Sequence, residues 1–429
     1  MSGPHVSGPA MRIAVVGSGI AGLTCAHLLG PDHEVVLYEA RDRLGGHANT
    51  IEVDDPELGR IGVDTGFIVY NDRNYPNFVR LLEELGVAVT ESEMSFAVAD
   101  RLTGFHYRAT SPSTLFADRR RLIDPAMWRM LFDIGRFYRQ GRRILAAVDG
   151  GNQQPLSMTI GDLLQQGRFG EAFIDNHLLP MGAAVWSTSV NRFTDFPAVS
   201  LLRFLDNHGL LSVGDRPQWR TIVGGSRAYV AAIERRFDGR IRLETPVRAV
   251  RRSDRVVTVI DRAGSDEYDH IILACHSDQI LDILSDASER EKTNLGAVPF
   301  RSNEVTVHTD TSVLPPHPRA WAAWTYEVID GAEGPTVTYD LTRLMRLATG
   351  VRYLVSLNDQ NRIDPRKVIC RLEYSHPVFD HDAIEAQHEL KRSNGSNRTS
   401  FCGAWMGYGF HEDGMAAAVD VCRALGSRW

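Results

Sequence analysis

Near its N-terminus the chain carries glycines and an acid at a spacing that suits the binding of a phosphate-containing ligand. The glycine-rich run reads Gly17, Ser18, Gly19, Ile20, Ala21 and Gly22. Glycines in such a run allow a tight turn, close approach to a pyrophosphate and close packing of a helix on a strand. Glu39 lies 17 residues after Gly22, where its carboxylate can accept hydrogen bonds from ribose hydroxyls. The pattern therefore predicts a dinucleotide site rather than a coincidental glycine-rich turn.

The sequence also indicates the elements that must position these residues. Residues 12–16 form a short β-branched apolar run that predicts a strand, and residues 23–29 follow with a helical pattern. A second apolar run at 34–38 predicts a strand that ends immediately before Glu39. This order is typical of the first unit of a Rossmann-like domain, in which the helix N-terminus offers amide donors to the phosphates.

The composition is that of a globular protein. The 429 residues, of which 43% are hydrophobic and 24% charged, predict two or three domains and exclude a disordered chain or a small disulfide scaffold. The net charge of −7 disfavours a nucleic-acid-binding surface, because such surfaces are usually basic. The five cysteines are scattered without a CxxC motif, so neither a disulfide framework nor a metal site is expected.

The sequence does not predict export or insertion into a membrane. Residues 1–10 lack the basic and apolar regions of a signal peptide and are expected to form a flexible leader. The longest apolar stretches fall far short of the ~20 residues that span a bilayer. We therefore expect a cytoplasmic protein, whose oligomeric state the sequence does not indicate.

A longer motif continues from the predicted acid. It reads Glu39, Ala40, Arg41, Asp42, Arg43, Leu44, Gly45, Gly46 and His47. This run resembles the extended motif of the flavin-containing amine oxidase and phytoene desaturase superfamily. The resemblance implies that the cofactor is FAD, with Arg43, Gly45 and Gly46 near its pyrophosphate and flavin. His47 stands where family members usually carry an arginine, so the chain departs from the family at that contact.

Other segments match the family elsewhere in its FAD site. The resemblance places the following residues beside the cofactor: Thr65, Gly66, Phe67, Val247, Ala274, Gly403, Asp413, Gly414 and Met415. Val247 corresponds to a family valine that contacts adenine. Gly414 and Met415 begin a small-residue helix whose N-terminus the family aims at the flavin N1–C2 carbonyl, where a reduced flavin carries negative charge. The acid that the family usually has after the strand's last glycine is replaced by Ala404.

These matches predict an α/β fold in which a Rossmann-like FAD-binding domain is interleaved with an α+β substrate domain, as in the amine oxidases. The FAD-binding domain is expected to take residues 11–70, 215–290 and 398–429. The substrate domain is expected to take residues 71–214 and 291–397. FAD would therefore draw residues from the start, the middle and the end of the chain.

Three motifs narrow the resemblance to one branch of the superfamily. They lie at residues 64–71, 374–379 and 407–414. They resemble those of bacterial predicted NAD/FAD-binding proteins encoded beside methyltransferases similar to cyclopropane-fatty-acyl-phospholipid synthases. The resemblance covers essentially the whole chain after residue 11. It implies FAD and a lipid or acyl substrate, and it does not imply a particular reaction.

Four residues around the start of the predicted flavin-facing helix are candidates for the chemistry. They are Trp405, Tyr408, His411 and Glu412. A histidine titrates near neutrality, so His411 could act as an acid or a base. The alternative is that His411, Glu412 and Asp413 cap the helix, since aspartate is a favoured N-cap residue.

Three functions remain open. The first is an FAD-dependent oxidoreductase that transfers hydride from, or performs double-bond chemistry on, a fatty-acyl or other lipid substrate. The second is an amine oxidase that produces hydrogen peroxide, with Trp321, Trp324 and Tyr326 as an aromatic cage for a cation. The third is a non-catalytic FAD-binding partner of a fatty-acyl methyltransferase.

The lysine content bears on the second function. Many amine oxidases place a lysine that holds a water against flavin N5. The chain has only Lys292, Lys367 and Lys391. Lys292 lies in a charged stretch and Lys391 in a polar one, which leaves Lys367 as the conceivable candidate and disfavours a mechanism of this type.

Residues 118–143 combine basic and aromatic character. They contain eight arginines and three aspartates, and Asp124 and Pro125 predict the start of a helix. Such a helix suits docking at an anionic membrane surface, an acidic carrier protein or a methyltransferase partner. The alternative is a core-facing helix with a solvated arginine face. The first interpretation would make the protein peripheral at the inner membrane face.

Overall fold

A computed structural model describes residues 9–186, 193–211, 214, 217–329, 336–359 and 361–429. Its strands are β1 (Arg12–Val16), β2 (Glu34–Tyr38), β3 (Thr50–Asp55), β4 (Gly59–Asp64), β5 (Val69–Asn71), β6 (Val89–Glu91), β7 (Phe96–Asp100), β8 (His106–Arg108), β9 (Trp219–Ile222), β10 (Arg240–Arg242), β11 (Ala249–Arg252), β12 (Val257–Ile260), β13 (Ser265–Tyr268), β14 (His270–Leu273), β15 (Phe300–His308), β16 (Trp324–Val328), β17 (Thr336–Asp340), β18 (Leu354–Leu357), β19 (Val368–Pro377) and β20 (Thr399–Phe401). Residues 1–8 of the expected leader lie outside the described residues.

The described helices lie in some of the connections between these strands. They are α1 (Ile20–Leu29), α2 (Pro76–Leu85), α3 (Pro112–Leu115), α4 (Pro125–Asp149), α5 (Ile160–Gly167), α6 (Glu171–Phe173), α7 (Leu179–Trp186), α8 (Ala198–Asn207), α9 (Arg227–Arg236), α10 (Ser277–Ile283), α11 (Glu289–Gly296), α12 (Leu341–Leu344), α13 (His381–Ser393) and α14 (His411–Ala424). Within the ranges that the structure describes, no helix has the length and apolar character needed to cross a bilayer.

A parallel five-stranded sheet forms the centre of the nucleotide-binding half. Its strand order is β10-β2-β1-β14-β20, and every neighbouring pair is parallel. β1 and β14 are buried almost throughout, which is expected of parallel strands covered on both faces. The sheet takes strands from the start, the middle and the end of the chain, as the interleaved α/β fold predicts.

A seven-stranded mixed sheet belongs to the second half of the molecule. Its strand order is β19-β15-β18-β17-β16-β7-β8. Its pairs are antiparallel except for β16 and β7. β15 and β19 form its longest ladder and carry Asn303, Tyr374 and His376 toward the nucleotide-binding half. A largely helical layer built on α4, α5 and α8 packs around a separate apolar core.

Two elements of the predicted substrate domain pack with the nucleotide-binding half. α2 contributes Phe78 and Leu81 to the same apolar core as α1, and β6 pairs with β9. The boundary at residue 70 stays a prediction. α13 buries Ala383 and Leu390 in the apolar core of the parallel sheet, so it also packs with the nucleotide-binding half rather than with the residues around it in sequence.

Candidate active site

The glycine turn between β1 and α1 has the shape that a pyrophosphate requires. Gly17 has a φ of +99°, which favours glycine. A Cβ on Gly22 would lie 1.8 Å from the Gly17 carbonyl oxygen, whereas a Cβ on Gly19 would meet no heavy atom within 4 Å. Gly22 is therefore fixed by helix–turn packing, and the space over Gly19 is open to a ligand at the N-terminus of α1.

Glu39 is held at the end of β2 by the glycine turn itself. Its Oε2 accepts a hydrogen bond from the Ser18 backbone N–H at 3.0 Å and a short one from the Ser18 hydroxyl. Its Oε1 accepts one from the Arg41 backbone N–H at 2.9 Å. These bonds orient the buried carboxylate, and its remaining lone pairs can accept from ribose hydroxyls. Ala40 and Arg41 continue the chain at the exposed edge.

Arg43, Gly45 and Gly46 fold back over the glycine turn. The Gly45 N–H donates to the Ser18 carbonyl at 2.9 Å, and a Cβ on Gly46 would approach the Gly19 Cα to 3.1 Å. The Arg43 guanidinium donates to the Gly46 carbonyl at 3.0 Å. This segment therefore forms a second wall of the space over Gly19.

The middle segment closes the back of the turn. Ala274 follows β14, its N–H donates to the Val16 carbonyl at 2.8 Å, and its own carbonyl would be 3.0 Å from a Cβ on Gly17. Val247, which the resemblance places beside adenine, is buried in one cluster with Val16 and Tyr38. Both residues thus contact β1, and Val247 also packs with the end of β2, so they lie next to the nucleotide motif.

His47 stands at the junction of the two halves. Its buried Nε2 atom has no hydrogen-bond partner among the described residues. Its ring centroid lies 4.8 Å from that of Tyr374, 5.5 Å from that of His376 and 6.1 Å from that of His276. Burial and the neighbouring histidines lower the pKa of His47, and burial lowers that of His376 to about 4. The three imidazoles are therefore neutral at physiological pH.

A ring of hydrogen bonds fixes Tyr374 beside His47. The Asn49 Nδ2 atom donates to the Tyr374 hydroxyl at 2.9 Å, this hydroxyl donates to Thr65 Oγ1 at 2.7 Å, and Thr65 Oγ1 donates to the Asn49 carbonyl at 3.0 Å. Next to it, the Asn303 Nδ2 atom donates to His376 Nδ1 at 3.0 Å, which leaves the proton of the neutral ring on Nε2.

The predicted segment at Thr65, Gly66 and Phe67 packs directly under His47. The Phe67 N–H donates to the His47 carbonyl at 2.9 Å, and a Cβ on Gly66 would lie 2.3 Å from that carbonyl oxygen. The Phe67 ring stacks on His411 at a centroid distance of 3.7 Å. The segment thus connects the first motif to the start of α14.

The N-terminus of α14 approaches the N-terminus of α1. A Cβ on Gly414 would lie 2.9 Å from Ile20 Cγ2 and 3.2 Å from the Ala404 nitrogen, and Met415 is buried in the core that contains α1. The Asp413 carboxylate accepts a hydrogen bond from the Phe410 N–H at 2.8 Å, as a helix cap does. Two positive helix ends therefore converge on the open space over Gly19.

The expectation that His411 titrates near neutrality is wrong. Its Nε2 atom lies 3.0 Å from the Tyr229 hydroxyl, and its ring is enclosed by Phe67 and Phe78. Burial lowers its pKa to about 3, because an imidazolium would lose its hydration there. His411 is therefore neutral at physiological pH, and its ring packs against Phe67 and Phe78 rather than facing solvent.

The structure gives two of the other three catalytic candidates, Glu412 and Trp405, defined partners. Glu412 accepts hydrogen bonds from Asn77 and from the Phe78 N–H, so it caps α2. Trp405 is buried and donates from Nε1 to the Cys275 carbonyl at 3.0 Å. Burial raises the pKa of Tyr408. These contacts favour positioning roles for Glu412 and Trp405, and the catalytic roles of all four stay predictions.

The lysines and the predicted aromatic cage lie elsewhere. Lys292 pairs with Glu289 at 2.7 Å and Lys367 with Asp310 at 2.9 Å, while Lys391 is exposed at the end of α13. Trp321 packs with Val313 and Leu314 in a cluster separate from that of Tyr326. The residues described show neither a lysine beside His47 nor an assembled cage.

Sequence reasoning missed several residues that shape the site. They are Ser18, Asn49, Tyr229, His276, Asn303, Tyr374 and His376. Tyr374 and His376 lie in a motif that carried the resemblance, but their sequence position gives no sign that they meet His47. That contact depends on the pairing of β15 with β19, which brings a distant segment to the first motif.

The geometry defines a Rossmann-like dinucleotide site. Its parts are an open space over a glycine turn, an acid oriented toward a ribose, and two helix N-termini. Residues 20–332 match the model of the family described as flavin-containing amine oxidoreductases. This match covers well over half of the sequence, and the chain belongs to that family. Its cofactor is FAD.

Individual relatives are similar to this chain either over a short segment or at low sequence identity. The 15-cis-phytoene desaturase of Synechococcus elongatus is 36% identical over 78 residues, which are 18% of this chain and 15% of that protein. Amine oxidase [flavin-containing] A of Canis lupus familiaris is 25% identical over 276 residues, 58% of this chain and 46% of that protein. The chain therefore spans less than half the length of either relative.

The structural similarity extends over almost the whole chain. A fatty acid isomerase from P. acnes that produces CLA has a TM-score of 0.70 and 16% identity, covering 97% of this chain and 99% of that one. Putrescine oxidase bound to putrescine has a TM-score of 0.70 and 15% identity, covering 98% and 99%. These similarities show the fold.

The residues present fit FAD. The open space over Gly19 at the N-terminus of α1 would hold the pyrophosphate, and Glu39 would bind the ribose. The N-terminus of α14 would face the flavin, as the resemblance implies, and His47 Nε2, which has no partner among the described residues, offers a polar contact on the side of Tyr374. FAD supplies a hydride acceptor when it is bound. The protein's contribution is to orient the cofactor and to exclude water around it.

Proposed function

We propose that the protein transfers a hydride from a C–H bond of a fatty-acyl or other lipid chain to FAD, as a desaturase, oxidase or isomerase. The observation that carries the proposal is that the group of imidazoles around His47, formed with His276 and His376, is uncharged. Its imidazoles, with that of His411, have lowered pKa values. They are enclosed by Tyr374, Phe300 and Phe67.

A neutral aromatic wall suits an apolar substrate better than a cation. An ammonium group in a buried site needs an anionic partner or an aromatic cage to replace its hydration. Burial raises the pKa of Glu412 to about 7 and that of Asp413 to about 6, so both carboxyls resist ionisation. The described residues around His47 therefore offer little to hold a charged amine.

The relatives give further support from their names. Desaturases of phytoene and of zeta-carotene are similar to this chain over segments of 78 and 83 residues, and a fatty acid isomerase shares its fold. Hydride removal from a hydrocarbon chain does not require a lysine that holds water. That agrees with the pairing of Lys292 with the exposed Glu289 and of Lys367 with the buried Asp310.

The second candidate is an amine oxidase that produces hydrogen peroxide. It is favoured by the similarity to amine oxidase A over 58% of the chain and by the shared fold of putrescine oxidase. The third is a non-catalytic FAD-binding partner of a fatty-acyl methyltransferase, as the resemblance to the methyltransferase-associated branch implies.

Anaerobic flavin reduction distinguishes the three candidates. The holoenzyme is mixed with phospholipids, free fatty acids or a panel of amines, and the oxidised flavin absorbance is followed. Loss of absorbance with an acyl substrate and not with amines is the expected result. Reduction by an amine, with peroxide released on admitting air, would overturn the proposal. An isomerase returns the hydride to its substrate and leaves the flavin oxidised, so the recovered acyl chains are also analysed for moved double bonds. An inert flavin and unchanged acyl chains, together with co-purification of a methyltransferase, would favour the third candidate.

A further inference from the structure

An exposed surface on α4 and the turn before it combines apolar and basic side chains; we call it the α4 surface. Its apolar members are Leu122, Ile123, Trp128 and Phe132, which are 44%, 87%, 53% and 60% exposed. These are four of the ten large hydrophobic side chains that are exposed in the described part of the chain. Such a concentration within eleven positions marks an interaction site.

The apolar members are held together as one patch. The Trp128 Nε1 atom donates to the Leu122 carbonyl at 2.9 Å, and the Trp128 ring lies 5.4 Å from that of Phe116. Phe132 follows Trp128 by four residues and therefore shares its face of the helix. The opposite face of α4 is buried through Met127, Met130 and other residues, so the exposed aromatics are not part of the core.

The basic members continue along the same helix face. Residues 118–143 contain eight arginines and three aspartates, an excess of five positive charges in a chain whose net charge is −7. The aspartates are occupied: Asp118 pairs with Arg120 and Arg121, Asp124 with Arg121, and Asp133 with Arg129 and Arg136. Among the described residues, no acid pairs with the remaining four arginines, Arg119, Arg139, Arg142 and Arg143.

A cavity opens beside the basic end of α4. It has a volume of about 400 Å³ and is lined by Arg136, Arg139, Gln140 and Arg143. Guanidinium groups bind phosphate oxygens in bidentate geometry. Arg143 lies 15 residues after Trp128, or about 22 Å along the helix. The α4 surface thus offers an apolar end for insertion and a basic end for anions.

We propose that the α4 surface docks the protein on an anionic phospholipid membrane. Trp128, Phe132 and Ile123 would enter the interface, while Arg139, Arg142 and Arg143 contact lipid phosphates. Basic side chains beside exposed aromatics on one helix face are the chemistry of interfacial helices. Docking does not depend on the substrate proposed above, because vesicle binding is measured without turnover.

The test is co-sedimentation of the FAD-loaded protein with vesicles. Vesicles of phosphatidylcholine with phosphatidylglycerol are compared with vesicles of phosphatidylcholine alone, at low and high salt. We expect binding to the anionic vesicles that weakens with salt. The triple variant R139E/R142E/R143E should bind them about 100-fold more weakly, because each basic residue near the surface contributes roughly fivefold.

Matched variants separate a local effect from a general charge effect. R251E/R255E/R262E changes the net charge equally on exposed arginines of another sheet and should retain binding. W128S/F132S should weaken binding at both salt concentrations, whereas L58S/I369S, at exposed positions elsewhere, should not. Flavin absorbance shows that each variant is folded and loaded.

Two results would overturn the proposal. One is failure of the wild-type protein to bind anionic vesicles, which would point to an acidic protein as the occupant instead. The other is equal loss of binding in R251E/R255E/R262E, which would show that net charge rather than the α4 surface is responsible. Either result leaves the outcome of the flavin-reduction experiment unaffected.

Discussion

Glu412 accepts two hydrogen bonds from Asn77, one from the backbone N–H at 3.0 Å and one from Nδ2 at 2.7 Å. The pair ties the first turn of α14 to the first turn of α2, and the Phe78 N–H adds a third donor at 3.0 Å. The position of α14 thus depends on the Glu412 carboxylate, which contacts α2 rather than the FAD site.

Removal of this carboxylate should destabilise the fold. We expect Glu412→Ala to lower the free energy of unfolding by about 2–3 kcal/mol, because two backbone N–H groups and an amide lose their acceptor. The control is Glu267→Ala on the exposed strand β13, which should change it by less than about 0.5 kcal/mol. Denaturant unfolding measures both. Equal effects would mean that the cap on α2 contributes nothing specific.

The same carboxyl should make stability depend on pH. Burial raises its folded pKa from 4.5 to about 7. The stability it contributes is therefore complete below its ordinary pKa and is lost as the pH rises through about 7. Relative to Glu412→Gln, the wild-type protein should lose on the order of 2 kcal/mol between about pH 4.5 and about pH 7. A pH-independent difference between the two would contradict the raised pKa.

Alanine substitutions at Gly22 and Gly19 should affect different properties, the first the stability of the apoprotein and the second the affinity for FAD. A Cβ on Gly22 meets the Gly17 carbonyl at 1.8 Å, so Gly22→Ala should destabilise the apoprotein by about 3 kcal/mol. A Cβ on Gly19 meets no protein atom within 4 Å. Gly19→Ala should keep apoprotein stability within about 0.5 kcal/mol and weaken FAD binding about 10-fold. Thermal unfolding and FAD titration separate the effects; unchanged FAD affinity in Gly19→Ala would place the pyrophosphate elsewhere.

Replacement of His47 and replacement of Tyr374 should have different effects on the stability of the apoprotein. Because its Nε2 atom is buried without a partner, His47→Phe should leave apoprotein stability unchanged or raised by about 1 kcal/mol, while FAD affinity falls about 10-fold. Tyr374→Phe breaks the hydrogen-bond ring with Asn49 and Thr65 and should destabilise the apoprotein by about 1 kcal/mol. Should His47→Phe bind FAD normally, the imidazole does not serve the cofactor.

His411 should not contribute to the pH dependence of turnover. With a pKa of about 3, it stays neutral between about pH 5 and about pH 9. His411→Phe removes the partner of Tyr229 and should lower stability by about 1 kcal/mol, yet the pH profile of flavin reduction should keep its shape. A profile that loses a limb in this variant would restore His411 as an acid or base.

Much of the nucleotide-binding half was predictable because its signals are local. Gly17 requires a backbone shape and Gly22 a close contact that the structure shows, Gly19 leaves open space for a ligand, and the acid at Glu39 follows its strand at the expected distance. The family and the cofactor are confirmed by the match over residues 20–332. Local pattern and fold agree because one β-α-β unit makes the contacts.

The rest depends on contacts between distant segments, which local patterns do not reveal. His47 meets Tyr374 and His376 through strand pairing of the second sheet. His411 was predicted to titrate near neutrality because its burial by Phe67 and Tyr229 leaves no trace around position 411. The packing of α2 against α1 was not predicted for the same reason, since the two helices meet only in the folded chain.

The contact between α1 and α14 also has a consequence for biosynthesis. α1 begins at Ile20 and α14 at His411, so the ribosome adds about 390 residues after the start of α1 before its buried face meets its partner. Until then the nascent chain exposes an apolar helix that chaperones must shield. We expect the newly made protein to acquire FAD only after α14 has been synthesised, so that a supply of free flavin cannot rescue chains stalled before that point.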